Sequence, residues 1–367
     1  MVPVLTSPIR RLVFAGEAII DVVMRVPALP DRGGDVLATS SQVTVGGGFN
    51  VMAAAARQGM PVLYAGGHGT GPWGDMVRVA LVAEGISLLR QQDPHRDTGF
   101  DVALVDADAE RTFVTSLGAE AAHEPGSWDG IPVGPGDAVY VSGYGLVPPD
   151  AGSMVGAWAA SLPRGPLLFV DPGPLVAQIP AGILDPVLAR CDWWSSNERE
   201  AALLTGIADD PPAAARALAA RTANVIVRAG ALGCFLALSA VPGTAASGTA
   251  VSGTVVHVPA PAVQAVDTTG AGDAHAGAFL AALAEGLAPA DAARRANAAA
   301  AFAVTRNGPA TSPTRATLDA WLAAPARLST PPGSDRDSRC YGTGKRDQSR
   351  EGGLKRRLGG GGGSDHD

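Results

Sequence analysis

One stretch limits what this chain can fold into: Ala265 to Phe279, AVDTTGAGDAHAGAF. An apolar approach at Val263, Ala265 and Val266 reads as a strand, and the helix formers from Ala271 towards Gly286 read as a helix. Between them lies a turn of small residues, Thr268-Thr269-Gly270-Ala271-Gly272. Gly270 and Gly272 carry no Cβ to keep a ligand off the backbone, so the N–H groups of 270–272 can converge on one point. That point is a helix N-terminus, where unpaired donors and the positive dipole end favour an anion. One carboxylate, Asp273, stands beside this cradle. An acid there repels a phosphate unless it has work to do, and the obvious work is taking a proton from an attacking hydroxyl. The competing reading is a plain helix entry in which Asp273 only favours the dipole. The remainder of the chain decides between them.

Composition removes several alternatives. With 367 residues, 46% of them hydrophobic, the chain has ample core for one large or two modest domains. A formal charge of -7 is no footprint for nucleic acid. Both lysines, Lys345 and Lys355, lie close to the carboxyl terminus, so no Walker-type lysine, Schiff base or pyridoxal anchor exists in the body. The three cysteines are scattered and the six histidines lack metal-ligand spacing. The first argues for a reducing, cytoplasmic setting. No apolar stretch is long enough to span a membrane.

Apolar runs at Leu12–Gly16, Val62–Ala65, Ala138–Ser142, Leu167–Asp171, Trp193–Ser196 and Val225–Arg228 alternate with helical patterns. This predicts an α/β fold with a mainly parallel sheet covered by helices on both faces. Runs at Ala18–Val26 and Val36–Val45, with a hairpin pattern at Phe100–Val105 and Arg111–Leu117, do not fit that alternation. They predict a small β-lid, inserted at about 18–46 and 99–118, over the carboxyl edge of the sheet. The globular domain is expected to end near residue 328. The Ser-, Gly- and Arg-rich stretch 329–367, with five consecutive glycines, predicts a disordered tail.

Other constellations are weak singly. Gly46-Gly47-Gly48-Phe49-Asn50 is either a capped loop or backbone and amide offered to a hydroxylated ligand. Asp21 is either a solvated edge carboxylate or an acceptor for a diol. Asn197-Glu198-Arg199-Glu200 is a capping box, and Glu200 with Asn197 could also order water around a phosphate-bound Mg²⁺. Gly230 and Gly233 fit a hairpin turn or a nucleotide surface. Tyr144, after the 138–142 strand, could contact substrate.

Together these pieces resemble the PfkB/ribokinase family of carbohydrate kinases over residues 12–323. The carrying motifs are GEAIID (16–21), GGGFNVMAAAARQG (46–59), NEREA (197–201), VDTTGAGDAHAGAFLAAL (266–283) and ANAAAAFAVTRNGPATSPT (296–314). The resemblance implies a three-layer α/β/α sandwich with a β-lid, and ATP-dependent phosphorylation of a sugar-type hydroxyl. It implies Asp273 as catalytic base and Gly270, Ala271 and Gly272 as anion hole. Asp21, Gly47, Gly48 and Asn50 fall at sugar positions. Asn197 and Glu200 match the Mg²⁺ and phosphate motif, while Arg228, Gly230, Gly233 and Asn297 fall in the nucleotide region. Asp267, Thr269, Ala303, Gly308 and Ser312 match positions that hold a potassium-like ion in relatives. The lid strands could supply a homodimer interface, or their exposed edge could equally be capped within the monomer. The chain departs from ribokinase-like members in lacking a lysine in the first Gly-rich motif, and in carrying His68 and His275. Those departures leave open a nucleoside kinase of the same family or, without turnover, a sugar- or nucleotide-sensing protein on the same scaffold.

Overall fold

The computed structural model describes residues 8–324 apart from 109, 123, 125 and 240–253. The expected tail lies outside the described residues. β1 (Arg11–Ala15) leads into β2 (Ala18–Arg25) and β3 (Ser40–Gly47), which leave the central layer. α1 (Phe49–Arg57), β4 (Val62–Tyr64), α2 (Pro72–Ala83) and β5 (Ser87–Leu88) return to it. A hairpin of β6 (Phe100–Val105) and β7 (Arg111–Ser116) departs again. Strands and helices then alternate through β8 (Asp137–Ser142), α3 (Pro149–Ser161), β9 (Leu167–Asp171), α4 (Ala181–Arg190) and β10 (Trp193–Asn197). α5 (Glu198–Thr205), α6 (Pro211–Leu218), β11 (Asn224–Arg228), β12 (Cys234–Ala237) and β13 (Val255–Val258) follow. Three helices close the described chain: α7 (Ala271–Ala284), α8 (Pro289–Ala303) and α9 (Arg315–Ala323).

Among the described residues the larger sheet has nine strands in the order β13-β12-β11-β10-β9-β8-β1-β4-β5. It is parallel from β5 to β11, and β12 and β13 are antiparallel. The two-residue side-chain period sends Leu12 and Phe14 of β1 to one core and Val13 and Ala15 to the other. Helices α1, α2, α7, α8 and α9 cover the first face; α3 to α6 cover the second. The sandwich anticipated from the alternation is the architecture observed. Among the described residues, no helix is long and apolar enough to cross a membrane.

The contact between α1 and α7 is close because Gly277 has no side chain. A Cβ there would stand 2.6 Å from the Cβ of Ala54 and 2.6 Å from the carbonyl oxygen of Val51. Gly277→Val should therefore separate the two helices that carry Asn50 and Asp273. We expect it to cost about 1–3 kcal/mol of stability, read as a lower urea midpoint.

A second sheet runs β3-β2-β6-β7. Ile20 and Val22 turn one face of it towards the α1/α2 core, where Phe100 meets Trp73. Residues of opposite parity therefore share the other face. Register places Thr44, Asp21, Asp101 and Thr115 in one row across that face, and Arg111 lies further along it.

Two expectations need correction. Residues 263–266 are not a strand: the ladder stops at Val258, and Pro259 and Pro261 follow, which cannot donate to a sheet. The strand expected over 36–45 begins at Ser40 and runs to Gly47.

Candidate active site

The turn before α7 takes a backbone conformation that only glycine adopts without strain. Gly270 caps α7 at φ 73°, and a Cβ on it would lie 2.2 Å from the carbonyl oxygen of Pro309. This places Asp273 in the first turn of α7. Ala271 donates its N–H to the Thr268 carbonyl at 3.2 Å. The expected three-residue anion hole therefore has one donor already engaged. The free first-turn donors come from Gly272 and Asp273.

Asp273 is half-buried, and Asn50 of α1 donates to it from Nδ2 to Oδ2 at 3.2 Å. Burial raises its carboxyl to about 6, helped by the charge of Asp171 and opposed by Asn50 and Arg228. Asn50 is 7% exposed and its Oδ1 has no partner. Asp21 packs against Gly46, where a Cβ would overlap its carboxylate. Burial, then Asp101 and Asp273, push Asp21 up to about 7. Glu17 accepts from the Ser142 hydroxyl at 2.9 Å while its Oε2 has no partner. Its carboxyl rises to about 7, mostly through burial. Tyr144 leaves its ring beside Gly173, and its phenol is raised by burial and then by Glu17, Asp273 and Asp101. The charge of Asp273 thus reaches both Asp21 and Glu17, and that of Asp101 reaches Asp21.

Gly47 turns the chain at φ 59°, a conformation that glycine takes without strain. Gly48 has a different reason to be glycine: a Cβ would meet the Phe14 ring at 2.0 Å. It packs α1 onto β1.

The profile of the pfkB family carbohydrate kinases matches residues 9–316. The chain belongs to that family. It is 34% identical to the uncharacterised sugar kinase YegV of Escherichia coli over 333 residues, covering 87% of this chain and 95% of the relative. Among solved structures it is similar to a ribokinase from Thermotoga maritima, with TM-score 0.68, 25% identity, and coverage of 85% of this chain and 99% of that one. It is also similar in fold to Arabidopsis thaliana ribokinase complexed with ribose and ATP, with TM-score 0.65, 22% identity and coverage of 86% and 99%. Membership makes the protein a kinase that moves phosphoryl from ATP to an alcohol.

Within this pfkB kinase, residues assigned from the sequence to the nucleotide region divide. Arg228 lies under the anion turn, its guanidinium carbon 3.4 Å from where a Gly272 Cβ would stand. It donates to Asp171 at 2.5 Å and to Ser195 at 2.8 Å, and approaches Glu200 at 3.6 Å. Asn297 and Gly233 instead meet at Val258. Asn297 donates to its carbonyl at 2.8 Å, and Gly233 leaves the 2.2 Å gap to that oxygen that a Cβ would fill. Gly230 opens the β11–β12 hairpin at φ 52°. Asn297 and Gly233 thus brace β13, whereas a Cβ on Gly230 would meet nothing within 4 Å. His275 stacks on Phe279, and burial lowers its pKa to about 3, so it is a neutral core group.

Asn197 and Glu200 close the capping box completely, with three hydrogen bonds of 2.8 Å between them. Among the described residues, no cluster of three acidic, histidine or cysteine side chains could hold a metal. The pair does not fit direct ligation of Mg²⁺. At the expected monovalent-ion position, Asp267 accepts from the Thr269 N–H at 2.9 Å, the Thr269 hydroxyl at 2.7 Å and Arg111 at 3.0 Å, all on Oδ1. Its Oδ2 accepts from Gly308 at 3.1 Å. Burial opposes this charge, yet the donors hold the carboxyl below its ordinary value. The Ala303 carbonyl accepts from Thr311, and the Ser312 hydroxyl is buried without a partner. Asp267 Oδ2 thus has one protein donor and the buried Ser312 hydroxyl has none among the described residues, so oxygen remains there for a monovalent cation.

Asp101, Glu17, Asp171 and Arg111 escaped assignment from the sequence. Asp101 had a signal: a carboxylate between Phe100 and Val102 in an alternating strand.

Proposed function

We propose that this protein is an ATP-dependent kinase acting on a hydroxyl of a small carbohydrate, with Asp273 as general base. The observation that carries the reading is the position of Asp273, one residue beyond the Gly272 donor and tied to Asn50. A hydroxyl held by Asn50 and Asp21 meets Asp273 on one side and the phosphoryl group over the helix N-terminus on the other. Asp273 accepts the proton as the oxygen attacks. The N–H groups of Gly272 and Asp273, with Arg228 behind them, oppose charge on the transferring group. Mg²⁺, arriving with ATP, supplies further charge neutralisation when bound. The acid-lined space argues for hydroxyl-rich substrates over the apolar pocket that a nucleobase prefers.

ADP release across a panel of sugars and nucleosides tests this. Turnover confined to nucleosides overturns the carbohydrate reading, and no ATP-dependent turnover overturns the kinase reading. The pH profile gives a second check. Asp273 near 6 must be ionised to accept a proton, so kcat/KM should fall as pH drops below about 6 and level off above about 7. A flat profile from pH 5 to 8, on the order of those values, removes Asp273 from the role.

Among the described residues, Cys191 and Cys234 are buried and free, which supports a reducing compartment such as the cytoplasm. The open edge of β7, with Phe113 and Val114 exposed, supports a dimer through the small sheet, which sedimentation would test.

A further inference from the structure

Asp21 and Asp101 are directly opposed residues on the parallel strands β2 and β6, so their carboxylates sit side by side on one face of the small sheet. Like charges in that position repel unless something satisfies them. Nothing among the described residues does: Asp101 Oδ1 is buried without a partner, and so is the Thr44 hydroxyl on the other side of Asp21. The same face carries Arg111, whose ion pair with Asp267 brings that face to the catalytic turn. Opposite, Asn50 is more than nine-tenths buried, is held at Asp273 by its Nδ2, and keeps Oδ1 unpaired. Glu17 Oε2 is a further buried acceptor without a donor. The two arginines that approach, Arg111 and Arg228, are committed to Asp267 and to Asp171 with Glu200. The space therefore holds three unpartnered acceptors, on Asp101, Asn50 and Glu17, against the one hydrogen that the Thr44 hydroxyl can give. A buried acceptor left unsatisfied is costly, so the group that belongs there must bring hydrogens.

We infer that Asp101 is a specificity-determining substrate residue, which with Asp21 and Glu17 selects a carbohydrate presenting hydroxyl or ammonium hydrogens and bearing no carboxylate or phosphate. This rests on the kinase reading above and narrows its substrate class. A sugar acid or sugar phosphate would bring a further negative charge to this acidic wall and leave its acceptors unpaired. A neutral polyol or amino sugar relieves both faults.

The test is ADP release by the full chain with ATP on four sets: neutral sugars and polyols, amino sugars, sugar acids, and sugar phosphates. Turnover is expected only in the first two, and the better of them identifies whether hydroxyl or ammonium hydrogens are preferred. In Asp101→Ala, KM for the best substrate should rise by about 10- to 100-fold, with kcat changed far less. Asp101→Asn, which keeps one acceptor, should recover part of that loss and weaken the discrimination against sugar acids. Thermal unfolding of both variants checks that they fold. An unchanged KM in a folded Asp101→Ala protein overturns the inference, as does wild-type preference for a sugar acid or phosphate. In either case the turnover itself leaves the kinase reading standing. Absence of turnover in all four sets overturns both.

Discussion

In Asp273→Asn, kcat should fall by about 10²- to 10⁴-fold, while KM for the sugar stays within about threefold. The change is isosteric, and the new carboxamide can still accept from Asn50, so the walls of the site stay in place. What disappears is the lone pair that takes the hydroxyl proton. The same variant should melt higher than wild type at pH 8. Burial raises the Asp273 carboxyl from 3.8 to about 6, so the folded state binds its proton more tightly than the unfolded one. Its stabilising contribution is fully present below the unfolded value and is lost as pH rises through about 6. At pH 8 the native protein carries an ionised group that the fold disfavours, and Asn removes it. At pH 3, where both states of wild type are protonated, the advantage should vanish. Steady-state ADP release and calorimetry at the two pH values read both effects. Lost activity with an equally lost fold would mean that Asp273 only caps the helix.

The sandwich was legible because its strands are bounded apolar runs and its helices carry long runs of small apolar residues, two periods that cannot be confused over ten or more residues. The small sheet was legible for the opposite reason, as its runs break the alternation. β12 was legible only as the return arm of the hairpin turn that Gly230 and Gly233 offer, and β13 was not anticipated. The Gly270–Asp273 turn could be read from residue types alone, because φ 73° and contact with Pro309 both demand glycine. Its partners could not. The pairing of Asp101 with Asp21 depends on the register of two strands some eighty residues apart, and Arg111 reaches Asp267 across 156 residues. Glycine also misleads in this chain. Gly48 and Gly233 look like ligand-facing gaps in the sequence, and a Cβ on each would meet the Phe14 ring or the Val258 carbonyl.

Arg228→Leu should be the most destabilising single change in the site. Its side chain, between Asp171 and Glu200, is 13% exposed, and its partners are 12% and 4% exposed. Burial works against its charge, but Asp171, followed by Glu200, more than restores it and holds the guanidinium above its ordinary value. Removing it leaves two buried carboxylates facing one another, which costs about 3–5 kcal/mol and lowers the melting point by on the order of 10 °C. The double variant Arg228→Leu/Asp171→Asn should recover more than half of that loss, since one of the stranded charges is gone. Catalysis should not recover with it. Arg228 lies behind Gly272, and its positive charge reinforces the backbone donors where the phosphoryl group passes, which a neutral pair cannot replace. Arg228→Lys separates the two roles: it keeps the charge but loses the planar fork that reaches Asp171 and Ser195 together. It should melt between wild type and Arg228→Leu while retaining more activity than the stabilised double variant. If the double variant regains both its melting point and its turnover, Arg228 serves the fold alone, and the helix N-terminus of α7 opposes the phosphoryl charge without it.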